Sequence, residues 1–269
     1  MKILGINHDM YITSAAIIID GKIIAACPEE RLNRDKLTRV FPTNAVNFCL
    51  KKANLRLDQI DFIANSYNPS VHLKNFYPAY SNNRRFRGDY FYSIPDFLLN
   101  NDRQIKEDSD YSFQKVKLGT KELNIYYITH HLCHAANGFF LSPFSKSAIL
   151  TADSSGEDDS ANFLIGEKNK LKLIKRLKIP HSTGSFYSTF TEFFGYRPES
   201  DEWKVMALSA YGKSNNKFYK IIRKMVSLKS NGSFELNQSY FKQHIHNLPN
   251  FYTDEFVKIL GKPREKNQN

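Results

Sequence analysis

Ser14-Ala15-Ala16-Ile17-Ile18-Ile19-Asp20-Gly21-Lys22-Ile23-Ile24-Ala25-Ala26 decides the fold class. Two β-branched, apolar runs flank Asp20-Gly21, a dipeptide suited to the positive φ angles of a tight hairpin turn. Upstream, Ile3 to Ile6 reads as a first strand. Downstream, Thr43 is placed to cap an apolar-periodic helix from Ala45 to Ala53, and Ile60 to Ala64 returns as a short strand.

From 66 to 112 the periodicity is lost and Tyr, Phe, Asn and Arg dominate, as in Tyr80-Ser81-Asn82-Asn83-Arg84-Arg85-Phe86-Arg87. A stretch of that length inside a compact domain reads as an insertion near a functional face. The strand pattern resumes at Ile125 to Ile128, a helix rich in histidine follows, and strands at 147–152, 161–166 and 171–178 read as a meander. Helices are predicted at 185–194, 203–211 and 215–227. Beyond Ser230 the pattern weakens, and the polar tail from Lys262 to Asn269 reads as frayed. Strand, hairpin, helix, strand, then strand, helix and meander predict an α/β protein with a mixed sheet of ribonuclease-H-like type and flanking helices.

At 269 residues the chain is long enough to bury roughly 70 to 75% of its unfolded surface. Its 41% hydrophobic and 24% charged content is that of a globular protein. The 38 basic against 27 acidic side chains give a net charge of +11. That excess fits a polyanion partner, an anionic small substrate or a compositional bias, and its scatter along the chain speaks against a nucleic-acid surface. Cys27, Cys49 and Cys133 are odd in number and far apart, which excludes a disulfide framework and a CxxC zinc module and fits a reducing cytoplasm. No segment approaches 18 uninterrupted apolar residues, so no membrane span is expected.

His130 and His134 stand four apart in a stretch free of proline and, before Gly138, of glycine, so they share one face of the expected helix. Such a pair is found as metal ligands or as packing and capping residues. Nineteen positions on, the apolar run Ala148-Ile149-Leu150-Thr151-Ala152 reads as a buried strand delivering Asp153 at its tip. Two imidazoles and a carboxylate make three-quarters of a metal site. Ser154-Ser155-Gly156-Glu157 then has the make-up of a small-residue turn whose N–H groups meet a phosphate, or of an ordinary acidic hairpin. Glu157, Asp158 and Asp159 would repel a phosphate unless a cation lay between.

From Ser200 to Gly212, Ser200 is placed as an N-cap, Asp201 and Glu202 suit the positive helix start and Gly212 its stop. Lys204 on the first turn opposes the helix dipole, which fits either an anionic ligand or plain solvation. Glu29-Glu30-Arg31-Leu32-Asn33-Arg34-Asp35-Lys36 reads as a solvated connector, or as a source of Arg31, Arg34 or Lys36 for an anionic substrate. The absence of Gly-x-Ser-x-Gly, Walker A and dinucleotide fingerprints removes support for triad hydrolysis, P-loop chemistry and hydride transfer.

Taken in order, Ile3-Leu4-Gly5-Ile6-Asn7, Ser14-Ala15-Ala16 with Asp20-Gly21-Lys22, Glu29-Glu30-Arg31, His130-His131-Leu132-Cys133-His134-Ala135-Ala136, Leu150-Thr151-Ala152-Asp153, Lys204-Val205-Met206 and Tyr211-Gly212 resemble the carbamoyltransferases of nodulation-factor, cephamycin and aminoglycoside biosynthesis. The resemblance implies an actin-like, Hsp70-like ATPase architecture related to the tRNA threonylcarbamoyl transferases. It implies that ATP and carbamoyl phosphate form carbamoyl-adenylate, whose carbamoyl group passes to a hydroxyl of a small molecule or sugar. It further implies iron(II) or another divalent metal held by His130, His134 and Asp153. Asp153, Ser154, Ser155, Gly156 and Lys204 are then expected around the nucleotide, with Lys204, Glu202 and His131 as catalytic candidates.

Two departures accompany the resemblance. The family's histidine-aspartate dipeptide stands directly before the small Ser-Ala-Ala run, whereas here Tyr11-Ile12-Thr13 fill that place and His8-Asp9 lies farther upstream. Members also run to about twice this length, as two lobes and an added domain require. Residues 1–229 are therefore expected to form an N-terminal lobe and 230–269 a linker toward a second lobe or second polypeptide that completes the site. A tRNA threonylcarbamoyl-type transferase and a non-catalytic regulatory lobe are the competing expectations.

Overall fold

The computed structural model describes residues 1–8, 12–68, 70–71, 110–213, 217–242 and 251–265. Asp9, nearly all of the aromatic and basic insertion, and the last four residues lie outside them. The chain divides into two compact units, with the cut after His134.

The first unit is built on a six-stranded sheet. β1 (Lys2–Asn7), β2 (Ser14–Ile19) and β3 (Lys22–Pro28) form an antiparallel meander. Asp20 and Gly21 sit at φ 48° and 79°, the left-handed pair that the hairpin demands. A short helix α1 (Glu30–Asn33) and α2 (Thr43–Lys52) lead to β4 (Phe62–Asn65), which pairs parallel with β1. β5 (Tyr111–Leu118) and β6 (Lys121–Ile128) close the sheet in the order β3-β2-β1-β4-β6-β5, with β6 parallel to β4. β5 was invisible in the sequence because its alternation Tyr-Ser-Phe-Gln-Lys-Val-Lys-Leu merges into the irregular insertion. Leu4, Ala15, Ile17, Ala45, Cys49 and Ile60 form the core between α2 and the sheet.

The expected cap of α2 is corrected. Thr43 lies inside the helix, behind Pro42, and no local side chain caps it. Instead Glu29, 1% exposed, reaches from the end of β3. One carboxylate oxygen accepts the Ala45 N–H at 2.8 Å, the other the Asn44 side-chain amide at 2.6 Å and the Asn44 N–H at 3.3 Å. Glu29 is thus a buried anion at a helix start, where free N–H groups and the helix dipole stabilise it, rather than part of a solvated connector.

The second unit is built around a three-stranded antiparallel sheet of β7 (Lys146–Gly156), β8 (Asp159–Glu167) and β9 (Lys170–Lys178). The expected meander is present, but β7 does not end at Asp153. It continues to Gly156 with an irregular register between Ala152 and Gly156. α3 (His130–Phe140) crosses the cut and enters this unit. Helices α4 (Thr183–Phe193), α5 (Glu202–Ser209) and α6 (Lys217–Arg223) follow. α6 stops short of the predicted 227 because Val226–Leu228 forms β10, paired with β11 (Phe234–Leu236), before α7 (Asp254–Leu260).

Residues expected as a linker therefore supply core. Leu236, Phe241 and Phe256 pack with Phe190, Phe193 and Met225, and the Phe256 ring lies 5.1 Å from both Phe190 and Phe193. No helix among the described residues is long and apolar enough to cross a membrane.

Removing the Glu29 cap has a definite cost. Glu29→Ala is expected to destabilise the chain by about 1–3 kcal/mol, with Glu29→Gln losing less, read from urea denaturation midpoints.

Candidate metal centre

α3 forms because Leu132, Ala135 and Ala136 favour helix and because one stripe buries cleanly. His131, Ala135 and Phe139, four apart, are 0%, 0% and 3% exposed. The Phe139 ring lies flat on Gly166 of β8, where a Cβ would meet ring carbons at 2.6 Å. That stripe fixes the rotation of the helix and leaves His130 and His134 on the adjoining face, half-buried and exposed respectively. Their Nε2 atoms are 2.9 Å apart and their rings are nearly perpendicular. For both nitrogens to offer lone pairs to a cation, each ring must carry its proton on Nδ1.

One ligand atom each of His130, His134 and Asp153 lie within 4.8 Å of one another. Asp153 is half-buried, and its Oδ1 accepts the N–H of Ser154 at 2.6 Å.

The β7 backbone is pinned behind this carboxylate by the start of α4. The Ser182 hydroxyl donates to the carbonyls of Asp153 and Ser154, at 2.9 and 2.7 Å, and accepts the Ser185 N–H at 3.0 Å as the helix N-cap. The Ser154 and Ser185 hydroxyls are 3.1 Å apart. Gly184 sits so close that an added Cβ would meet the Asp153 carbonyl carbon at 2.6 Å and collide with the Ser154 nitrogen. These three residues escaped the sequence reading, although Ser182 two positions before a glycine and three before the expected helix had the marks of a cap.

Two carboxylates of the acidic run beyond Gly156 have cationic partners. Asp158 pairs with Lys178 at 2.5 Å and Asp159 with Arg176 at 3.1 Å, while Asn162 donates to Asp159 at 3.0 Å. Burial raises the Asp159 pKa, and Arg176 and Asn162 oppose it. Ser155 and Gly156 lie on β7 between Asp153 and this hairpin, and Gly156 is paired with Asp159.

The α5 candidates have partners of their own. Ser200 is not the N-cap; Asp201 holds that position without a side-chain bond. The turn is tied instead by Glu202, whose Oε1 accepts the Ser188 hydroxyl at 2.6 Å and the Glu199 N–H at 2.5 Å. The helix ends at Ser209, before Gly212. Lys204 pairs with Asp201 at 2.9 Å and stands over the rings of Tyr196 and Trp203 at 5.6 and 5.4 Å. His131 is fully buried, edge-on to His130 with ring centres 5.8 Å apart. His8 packs edge-on to Phe41 at 5.3 Å.

Two outcomes test this geometry. Gly184→Ala is expected to cost about 1–3 kcal/mol, since backbone rather than a flexible side-chain tip must give way, and the thermal midpoint reports it. The Asp201 pKa is lowered: burial opposes this, but Lys204 and the Arg197 N–H outweigh it. A depressed folded-state pKa contributes stability above the ordinary aspartate value that is lost as pH falls through the folded value. Asp201→Asn should therefore destabilise the chain at neutral pH and converge with the parent in acid, measured as denaturation midpoints against pH.

Comparisons with known proteins identify the family. The carbamoyltransferase N-terminus family matches residues 2–268. An uncharacterized Synechocystis protein, sll1178, is 31% identical over 97% of this chain and 42% of its own length. Nodulation protein NolNO of Sinorhizobium fredii is 29% identical over 77% of this chain and 28% of its own. The uncharacterized protein MJ1051 of Methanocaldococcus jannaschii is 29% identical over 78% and 33% respectively. The chain thus spans less than half the length of these relatives. With the match running almost from end to end, the chain belongs to the carbamoyltransferase N-terminus family.

Proposed function

We propose that the chain is the N-terminal part of an ATP-dependent O-carbamoyltransferase acting in the cytoplasm on a hydroxylated small molecule or sugar. Carbamoyl phosphate and ATP would supply carbamoyl-adenylate: water releases phosphate from carbamoyl phosphate, and an oxygen of the resulting carbamate bonds to the α-phosphorus of ATP as pyrophosphate leaves. The acceptor hydroxyl oxygen then bonds to the carbamoyl carbon, the bond from that carbon to the AMP phosphate oxygen breaks, and the hydroxyl proton is released. The products are a carbamate ester and AMP.

The observation carrying this reading is the convergence of His130, His134 and Asp153 in a chain of this family. Two imidazole nitrogens and one carboxylate oxygen suit iron(II) or another divalent first-row metal, and their proximity fits a single ion. When bound, such a cation supplies Lewis-acid polarisation and neutralises phosphate charge. The chain's own residues hold and orient. Ser154, Ser155 and Gly156, which follow Asp153 along β7, are assigned to the phosphate, Ser154 by exchanging its present bonds to Asp153 and Ser185. Lys204 is assigned to the nucleotide's charge, with Asp201 holding it until then. Buried His131 and doubly hydrogen-bonded Glu202 are assigned positioning roles in place of proton transfer.

The strand order β3-β2-β1-β4-β6, with β1, β4 and β6 parallel, supports a ribonuclease-H-like lobe of the actin and Hsp70 type. The length of the relatives supports a further lobe or polypeptide completing the site.

Anaerobic iron(II) titration of the purified chain tests the site. Binding should weaken by at least about tenfold in His130→Ala and His134→Ala, as loss of a ligand requires. Stoichiometric binding indifferent to both substitutions sinks the assignment. Carbamate formation dependent on ATP and carbamoyl phosphate, assayed with the chain joined to a C-terminal portion, tests the reaction. Salt-dependent tRNA binding in its place would favour the threonylcarbamoyl-type reading.

A further inference from the structure

α2 packs over β2 and β3, and its contacts with them run in step. Glu29, just past the end of β3, accepts the Ala45 N–H in the first turn of the helix. One turn further along α2, the Cys49 sulfur lies 3.5 Å from the carbonyl oxygen of Ala15, and Ala15 is the register partner of Cys27. The helix therefore runs back along β3. Two strand residues, from Glu29 to Cys27, cover roughly 6.6 Å, and four helical residues, from Ala45 to Cys49, cover roughly 6 Å. The alignment that sets Glu29 at Ala45 thus sets Cys27 at Cys49.

The ladder brings the two thiols closer still. The Glu29 N–H donates to the Thr13 carbonyl at 2.9 Å, and bonded and unbonded pairs alternate along an antiparallel ladder. Pro28, opposite Ser14, has no N–H to give, so Ala15 and Cys27 form the next bonded pair, with the Ala15 carbonyl aimed at the Cys27 N–H. Because the Cys49 sulfur lies 3.5 Å from that oxygen, it is within roughly 6.5 Å of the Cys27 backbone nitrogen, which is the reach of a disulfide. Both side chains enter one core: Cys49 is buried with Ala15, and Cys27 packs against that cluster. Cys27 is half-buried and Cys49 is 0% exposed. Burial, and then the charge of Cys27, push the Cys49 thiol up. Cys49 is the protected thiol, and Cys27 is the one that meets reagents.

We propose that Cys27 and Cys49 are a reversible redox pair, in which Cys27 is oxidised by a hydroperoxide and Cys49 then closes a disulfide tying β3 to α2. In the first step the Cys27 sulfur bonds to one peroxide oxygen, the O–O bond breaks, and the other oxygen leaves as water with the thiol proton. Cys27 is then a sulfenic acid. The Cys49 sulfur bonds to the Cys27 sulfur, the S–O bond breaks, and the hydroxyl leaves as water with the Cys49 proton. Two thiols are oxidised and one hydrogen peroxide is reduced to two waters. A small thiol reopens the bridge by exchange, two of its molecules being oxidised to their own disulfide. An odd number of widely spaced cysteines excludes a disulfide framework, but it leaves room for one pair and a single thiol, Cys133. The bridge fastens the same strand and helix that Glu29 joins, and it is independent of the proposed transfer reaction.

The test treats the purified, folded chain with hydrogen peroxide, counts free thiols after denaturation and maps linked peptides by mass spectrometry. The count should fall from three to one, with Cys133 remaining, peptides joined at Cys27 and Cys49, and all three thiols restored by dithiothreitol. The urea midpoint should rise on oxidation, since the bridge restricts the unfolded chain. Cys27→Ala, at a half-buried position, should leave Cys49 reduced at the same peroxide dose. Cys49→Ala should leave Cys27 as a sulfenic acid that dimedone traps; should that core variant fail to fold, Cys27→Ala and the peptide map decide. Three results overturn the proposal: three thiols surviving peroxide, Cys27 passing to sulfinic acid while Cys49 stays free, or a bridge that contains Cys133 or joins two chains.

Discussion

The rotation of α3 about its own axis is the constraint on which the candidate centre depends. His131, Ala135 and Phe139 bury together, and the fit of Phe139 against Gly166 locks that stripe to β8. A helix so fixed has no choice about where its neighbouring stripe points. His130 and His134 are presented together on the adjoining stripe, their Nε2 atoms 2.9 Å apart, before any ligand contributes energy. This is preorganisation: the donor atoms converge at the expense of core burial rather than of binding affinity.

The strand opposite is held in the same spirit. Ser182 caps α4 and grips the carbonyls of Asp153 and Ser154 with one hydroxyl, and Gly184 lets the helix start approach the β7 backbone without a side chain between. The register irregularity between Ala152 and Gly156 falls at this point, where backbone groups are diverted from the ladder to α4. Charge is managed next to it. Lys178 and Arg176, which guard the β9 edge, also pair with Asp158 and Asp159, so two of the three acidic side chains beyond Gly156 are offset within the sheet.

The hairpin at Asp20-Gly21, the histidine helix and the β7-β8-β9 meander were legible in the sequence because each rests on local rules: a turn dipeptide, helical spacing, strand alternation. The convergence of His130, His134 and Asp153 was legible only through an ordered set of motifs resembling a family. Elements whose stability comes from distant partners were read wrongly. Thr43 looked like the cap of α2, yet Glu29 supplies it from fifteen residues upstream of Asn44. Residues beyond 230 looked like a linker because their few apolar side chains, Leu236, Phe241 and Phe256, are widely spaced, and only a shared core makes them a group.

By itself the sequence determined the first hairpin and its turn, the β7-β8-β9 meander, the spacing of the two histidines and the chemical types of the three candidate ligands, since those depend on residues near one another in the chain. Tertiary structure alone decided that β7 runs past Asp153, that Ser182 and Gly184 hold it there, and that Lys204 and Glu202 are tied to Asp201, Ser188 and Glu199. The reason is physical: hydrogen bonds and burial between segments far apart in the chain depend on which surfaces folding brings together, and no local propensity records that meeting.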